Sequence, residues 1–140
     1  MNVYFDASVL VALFADDFFS ARLRKAMKGR QVMPVVSDFA VAEFASVIAR
    51  LVRTKELSAK EAREAFSSFD AWVENSAASV QSSPEDIKLA VDALRRLDMN
   101  LRAPDAIHIA VASRLGAELA TFDTRMSDCA KILGVATSKL

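Results

Sequence analysis

The sequence predicts an α/β fold, a three-layer α/β/α sandwich around a mostly parallel sheet. Three observations predict it. Short β-prone runs alternate with longer stretches of helical character, and strands separated by helices pair in parallel. The chain has 140 residues, the length of a single compact domain spanning 1–140. Its composition is 53% hydrophobic and 26% charged, with mean hydropathy +0.22, which is globular and excludes a low-complexity chain.

The elements follow in order. Val3-Tyr4-Phe5 is a short strand ending at Asp6, and Ala7 to Ala15 is apolar and helical. Asp16 or Asp17 can cap a second helix, Phe18 to Lys28, which stops at Gly29. Val32 to Val36 is a strand, and its Pro34 suggests an edge or an irregular start. Ser37-Asp38 precedes a long helix from Phe39 to about Lys55, with Asp38 read as the N-cap. Ser58 and Glu61 have capping-box spacing and open a helix to about Asn75. Ala78 to Val80 is a short strand. Ser83-Pro84-Glu85-Asp86 is a cap, a proline and first-turn acids, opening a helix that ends near Leu97. Pro104 opens another through Leu115, closed by Gly116. Glu118 to Phe122 is a strand, Thr124 to Leu133 a helix, and Val135-Ala136 a last short strand.

Several function classes drop out. Lys and Arg number 18 against 18 Asp and Glu, so the chain is not a strongly basic nucleic-acid coat. One cysteine, Cys129, makes no internal disulfide or cysteine-rich zinc site, and its lone thiol fits a reducing cytoplasm. One histidine, His108, is too few for most zinc hydrolase sites. Three glycines leave no dinucleotide fingerprint and no P-loop. The most apolar stretch, Phe39 to Ala49, carries Glu43 and is shorter than the roughly 20 residues of a membrane span. The N-terminus has no basic start and meets Asp6, so it does not read as a signal peptide.

Four acids do not look like surface. Asp6 and Asp123 each end a strand and start a helix, so each is a helix cap or a functional carboxylate. Glu43 is the only charge between Phe39 and Ala49, and its helical neighbours are Phe39, Ala40, Ser46 and Val47. A carboxylate there needs either an Arg partner or a wet cleft. Asp105 opens the apolar run Ala106-Ile107-His108-Ile109-Ala110, where the helix dipole alone accounts for a first-turn acid. His108 reads as a hydrogen-bonded core residue. Two acids at strand ends and two on helices beside those strands can meet at one sheet edge. Ligands gather at the carboxyl ends of strands in such sheets. Crowded carboxylates call for a divalent cation, and oxygen donors suit Mg²⁺ or Mn²⁺. Such an ion orients and deprotonates water for phosphodiester hydrolysis.

Four segments carry a family resemblance: Tyr4-Phe5-Asp6-Ala7-Ser8-Val9-Leu10, Val41-Ala42-Glu43-Phe44-Ala45-Ser46, Arg102-Ala103-Pro104-Asp105-Ala106-Ile107-His108 and Leu119-Ala120-Thr121-Phe122-Asp123-Thr124-Arg125-Met126. In this order, over nearly the whole chain, they resemble the PIN domains, and among them the VapC-type toxin ribonucleases. The resemblance implies a PIN-like sandwich in which Asp6, Glu43, Asp105 and Asp123 form an acidic pocket for Mg²⁺ or Mn²⁺. It places Ser8 in support of Asp6, and Thr121 near Asp123. Asp128, a second acid in the last helix, can share or shift the fourth ligand position. The implied activity is metal-dependent endoribonuclease cleavage of structured RNA, often transfer or ribosomal RNA. The implied partners are a cognate antitoxin and a second copy of the chain.

Arg102, three residues before Asp105, is the candidate RNA contact, and most other basic residues read as solvated helix faces. Phe14, Phe18, Phe19, Phe66, Phe69 and Trp72 follow helical spacing and read as core or interface. A stripe of Phe44, Phe66, Phe69 and Trp72 is a candidate dimer or antitoxin surface. Two other functions compete. One is a catalytically idle PIN domain that binds RNA or protein, which the full set of acids opposes. The other is an aspartyl-phosphate enzyme or receiver, which lacks the second Asp two residues after Asp6, where Ser8 stands.

Overall fold

The computed structural model describes residues 1–140. The chain forms β1 (Asn2–Phe5), α1 (Ala7–Phe14), α2 (Ser20–Met27), β2 (Met33–Ser37), α3 (Asp38–Arg53) and α4 (Ala59–Ser76). It continues through β3 (Ala78–Val80), α5 (Pro84–Leu94), α6 (Ala103–Leu115), β4 (Glu118–Ala120) and α7 (Thr124–Ile132). The four strands form one sheet in the order β3-β2-β1-β4, and every pairing is parallel.

The period-two alternation of β1 divides the core. Val3 and Phe5 face one side, where they join Val9 and Leu10 of α1, Phe44 and Ile48 of α3 and Phe69 of α4. Tyr4 faces the other side and joins Ile109 and Val111 of α6, Leu119 of β4 and Met126 of α7. Val36 and Val35 split the same way in β2, as do Ala120 and Leu119 in β4. Helices therefore cover both faces, giving the three layers expected from the sequence.

Several local expectations are corrected. The N-cap of α3 is Ser37, whose hydroxyl accepts from the Ala40 amide at 3.0 Å, and Asp38 is the first helical residue. Asp38 instead accepts from the Ser82 amide at 2.8 Å and from the Ser82 hydroxyl, tying α3 to the segment after β3. No side chain caps α2; Asp17 closes the preceding turn by accepting from the Phe19 amide at 2.8 Å. Phe18 lies outside that helix and is 91% exposed. Helix α5 stops at Leu94, before Leu97, which adopts a left-handed φ of 62°.

Pro34 sits in β2, which has a neighbour on each side, yet its ring costs no ladder bond. Pairing with β3 begins only at Val35, so β2 is still an edge at Pro34. Strand β4 ends at Ala120 because Thr121 turns away to bond Asp6. The expected last strand at Val135-Ala136 is reduced to one parallel bridge, Leu119 to Thr137. The aromatic stripe does not form an open face. Phe44 and Phe69 are buried, and Phe14, Phe66 and Trp72 close around them at centroid distances of 4.9–6.2 Å.

Candidate active site

The connection from β1 leads to β2 on one side, while β4 lies on the other. The strand order thus reverses at β1, and the carboxyl ends of β1 and β4 form the switch point at which α/β sheets bind ligands. Asp6 ends β1 at this point. It caps α1: Oδ1 accepts from the Val9 amide at 3.1 Å and the Ser8 hydroxyl at 2.6 Å. Its Oδ2 accepts from the Thr121 hydroxyl at 2.5 Å. Asp6 is 3% exposed and pairs with no Lys or Arg. Burial pushes its pKa up, and the Ser8 and Thr121 hydroxyls pull against that shift.

Ser8 and Thr121 also reach onward. The Ser8 hydroxyl accepts from the Phe122 amide and the Thr121 hydroxyl from the Asp123 amide, both at 3.0 Å. They lace the end of β1 to the turn after β4, with Thr121 tying the Asp123 backbone amide to the Asp6 carboxylate. Asp123 caps α7, with Oδ1 accepting from the Arg125 and Met126 amides at 3.0 and 3.1 Å. Asp105, buried in the first turn of α6, accepts from the Arg102 amide at 3.2 Å. The Arg125 guanidinium stands between these two acids, with Nη2 at 3.8 Å from Oδ2 of each.

Glu43 reaches the same edge from α3. Its partner is not an arginine: Oε1 bonds Nε2 of His108, one turn along α6 from Asp105. His108 is buried and hydrogen-bonded, as the sequence suggested. Its Nδ1 lies 2.8 Å from the Tyr4 hydroxyl, which lies 2.7 Å from the Ser37 hydroxyl. One proton assignment satisfies every atom. Ser37, already accepting from the Ala40 amide, donates to Tyr4, Tyr4 donates to Nδ1, and the Nε2–H donates to Glu43. Burial holds the Tyr4 phenol protonated by raising its pKa; the Ser37 hydroxyl opposes this, and the charges of Asp6, Glu43 and Asp86 add to it.

The predicted supporting residues separate. Ser8 and Thr121 are built into the site. Asp128 is not: its side chain is 73% exposed and pairs with Lys131 at 3.8 Å. Arg102 is exposed, and only its backbone amide touches the site. Arg125 is the functional candidate that sequence reasoning passed over. Its signal was a base in the first turn of a helix, against the dipole, two residues after Asp123.

No three His, Cys, Asp or Glu side chains stand in metal-holding geometry. The chemistry of the donors nevertheless fits a hard divalent cation. They are carboxylates only, Asp6 is buried with no cation of its own, and Asp105 and Asp123 have drawn a guanidinium between them.

Comparison with known proteins assigns the family. The PIN-domain family model matches residues 3–132. Ribonuclease VapC46 of Mycobacterium tuberculosis is 34% identical over 137 residues, covering 96% of this chain and 94% of the relative. The chain belongs to the PIN-domain family, in its VapC branch. Solved structures of toxins and toxin–antitoxin complexes share its fold. M. tuberculosis VapC20, described as a sarcin-ricin loop cleaving toxin, superposes with TM-score 0.70 at 19% identity, over 90% of this chain and 93% of that one. VapBC2 of Rickettsia felis, bound to a fragment of its promoter DNA, gives TM-score 0.68 at 14% identity, over 98% and 97%. A toxin–antitoxin complex from Klebsiella pneumoniae gives 0.64 at 22% identity, over 98% of each chain. PIN nucleases as a class depend on divalent metal. No helix of this chain is long and apolar enough to cross a membrane.

Proposed function

We propose that this PIN-domain protein is a metal-dependent endoribonuclease, the toxin of a type II toxin–antitoxin pair, acting in the cytoplasm on structured RNA such as transfer or ribosomal RNA. The observation that carries the proposal is Asp6: a carboxylate buried without a cation at the sheet's switch point, laced through Thr121 to Asp123. Asp6, Glu43, Asp105 and Asp123 would hold Mg²⁺ or Mn²⁺. That ion, when bound, lowers the pKa of a water and stabilises charge on the leaving oxygen. The chain's own residues do the rest. Ser8 and Thr121 orient Asp6 through its two oxygens. The Ser37–Tyr4–His108 chain holds Glu43 by one carboxylate oxygen and leaves the other for a ligand. Arg102, at the mouth of the site, meets the RNA backbone. The names of relatives support the wider role: one is a ribonuclease, and others were solved as toxin–antitoxin complexes. A cognate antitoxin and a second copy of the chain are the partners this reading expects.

One observation favours a second reading. The Arg125 pairs could fill the acidic site for good, leaving an idle PIN domain that binds RNA without cutting it. Total RNA incubated with the protein and Mn²⁺, with end mapping, separates the two. Discrete cleavage sites that EDTA abolishes and that Asp6→Asn protein fails to produce are expected. RNA retained but uncut, or cleavage persisting in Asp6→Asn, overturns the nuclease proposal.

A further inference from the structure

Arg125 is the side chain at the acidic edge with the poorest bonding. It rises from the first turn of α7, where the helix dipole disfavours a cation. A guanidinium normally meets a carboxylate in a fork of hydrogen bonds near 2.7–2.9 Å. Here its Nη2 is 3.8 Å from both Asp105 and Asp123, beyond hydrogen-bond range. Its Nε is buried with no acceptor at all, although 30% of the side chain is exposed. The group is therefore held by the field of two carboxylates rather than by a built-in socket. Its position, equidistant from an acid on α6 and an acid on the β4–α7 turn, is the position a shared cation takes.

We propose that Arg125 is the built-in counter-ion of the acidic site. It neutralises Asp105 and Asp123 in the absence of divalent ions, and a divalent ion must displace it, so Arg125 sets the metal affinity of this protein. The inference rests on the reading that these acids hold a divalent cation. Linkage fixes its sign: a group that binds the same acids in competition with the metal weakens the metal by the strength of its own pairing. The same pairing holds the acids together when no metal is present, so its removal must also weaken the metal-free fold.

The test measures Mn²⁺ binding to the full chain by the EPR signal of free Mn²⁺, without RNA. Wild type, Arg125→Gln, Arg125→Met and Arg125→Lys are compared, with Asp6→Asn as control. Two long ion pairs, one to the buried Asp105 and one to the partly exposed Asp123, support a competition of about tenfold. Gln and Met variants should bind Mn²⁺ about tenfold more tightly, while Lys, which keeps the charge, should stay within about twofold of wild type. In EDTA the neutral variants should melt below wild type, and added Mn²⁺ should raise their melting temperature more. Equal or weaker Mn²⁺ binding in both neutral variants, with wild-type binding lost in Asp6→Asn, overturns the role of Arg125 and leaves the acidic site standing. Absence of Mn²⁺ binding from every protein overturns both.

Discussion

Replacing Asp6 by Asn should make the protein more stable while abolishing the proposed chemistry. Asp6 is 3% exposed, and three donors reach it, at 2.6, 3.1 and 2.5 Å, but no cation. Asn is as good an N-cap as Asp, so the Val9 bond survives. Its carbonyl takes the place of Oδ1 for Ser8 and Val9. Its amide nitrogen replaces Oδ2 and donates to the Thr121 oxygen. Burying a lone charge costs several kcal/mol after relaxation, and weakening the charged hydrogen bonds to neutral ones returns about 1 kcal/mol each. The net gain is about 1–2 kcal/mol, or about 3–6 °C in Tm for a chain of this size.

The sign with pH follows from the raised pKa of Asp6. Below the ordinary carboxylate value of 3.8, Asp6 is protonated in both folded and unfolded chains, and its charge costs nothing. As pH rises through the higher folded value, the folded state is forced to ionise a buried acid, and wild type loses stability. The advantage of Asp6→Asn is therefore greatest near neutral pH and shrinks on acidification. A saturating divalent ion reverses the order, since a ligand at 100 times its Kd stabilises the form that binds it by about 2.7 kcal/mol. Thermal unfolding of both proteins in EDTA and in Mn²⁺, across this pH range, checks each statement. An Asp6→Asn protein that melts below wild type in EDTA at neutral pH would refute the reasoning.

Two further outcomes test the scaffold around the site. Asp86 is fully buried, and Arg114 meets its two oxygens at 2.7 and 2.9 Å, locking α5 to α6. Arg114→Ala should cost about 3 kcal/mol in urea unfolding by stranding that charge. Burial pushes the Asp86 pKa up, but Arg114 and the Ser83 amide outweigh it and bring it below 3.8. The stabilisation from Asp86 should therefore be lost only as pH falls below that value, and the variant should lack this acid-side decline. Tyr4→Phe strips the partner from His108 Nδ1 and Ser37, both buried, and should cost about 1–3 kcal/mol. Because His108 then holds Glu43 less firmly, RNA cleavage by Tyr4→Phe should need more Mn²⁺ than wild type for half-maximal rate. An unchanged requirement would detach that chain from the site.

Most of the fold was legible because its signals are local. The β-prone run Val3-Tyr4-Phe5, the Ser58/Glu61 capping box, the Ser83-Pro84-Glu85-Asp86 helix start, and Gly116 at a left-handed φ of 59° are each read within a few residues. Asp6 and Asp123 stood out for the same reason, as acids at strand-to-helix junctions. Capping is the use of these carboxylates that the structure shows, and the proposed site chemistry is a second use of the same side chains. Only the tertiary structure decided who meets whom. Glu43 finds His108, 65 residues away, rather than an arginine; His108 finds Tyr4 across 104 residues, and Thr121 finds Asp6 across 115. Asp38 turns to Ser82, and Arg125 reaches from α7 to Asp105 on α6. Helix and strand periods repeat over a few residues and so are written in the chain, whereas a side chain's partner depends on how separate elements pack, which no local period encodes.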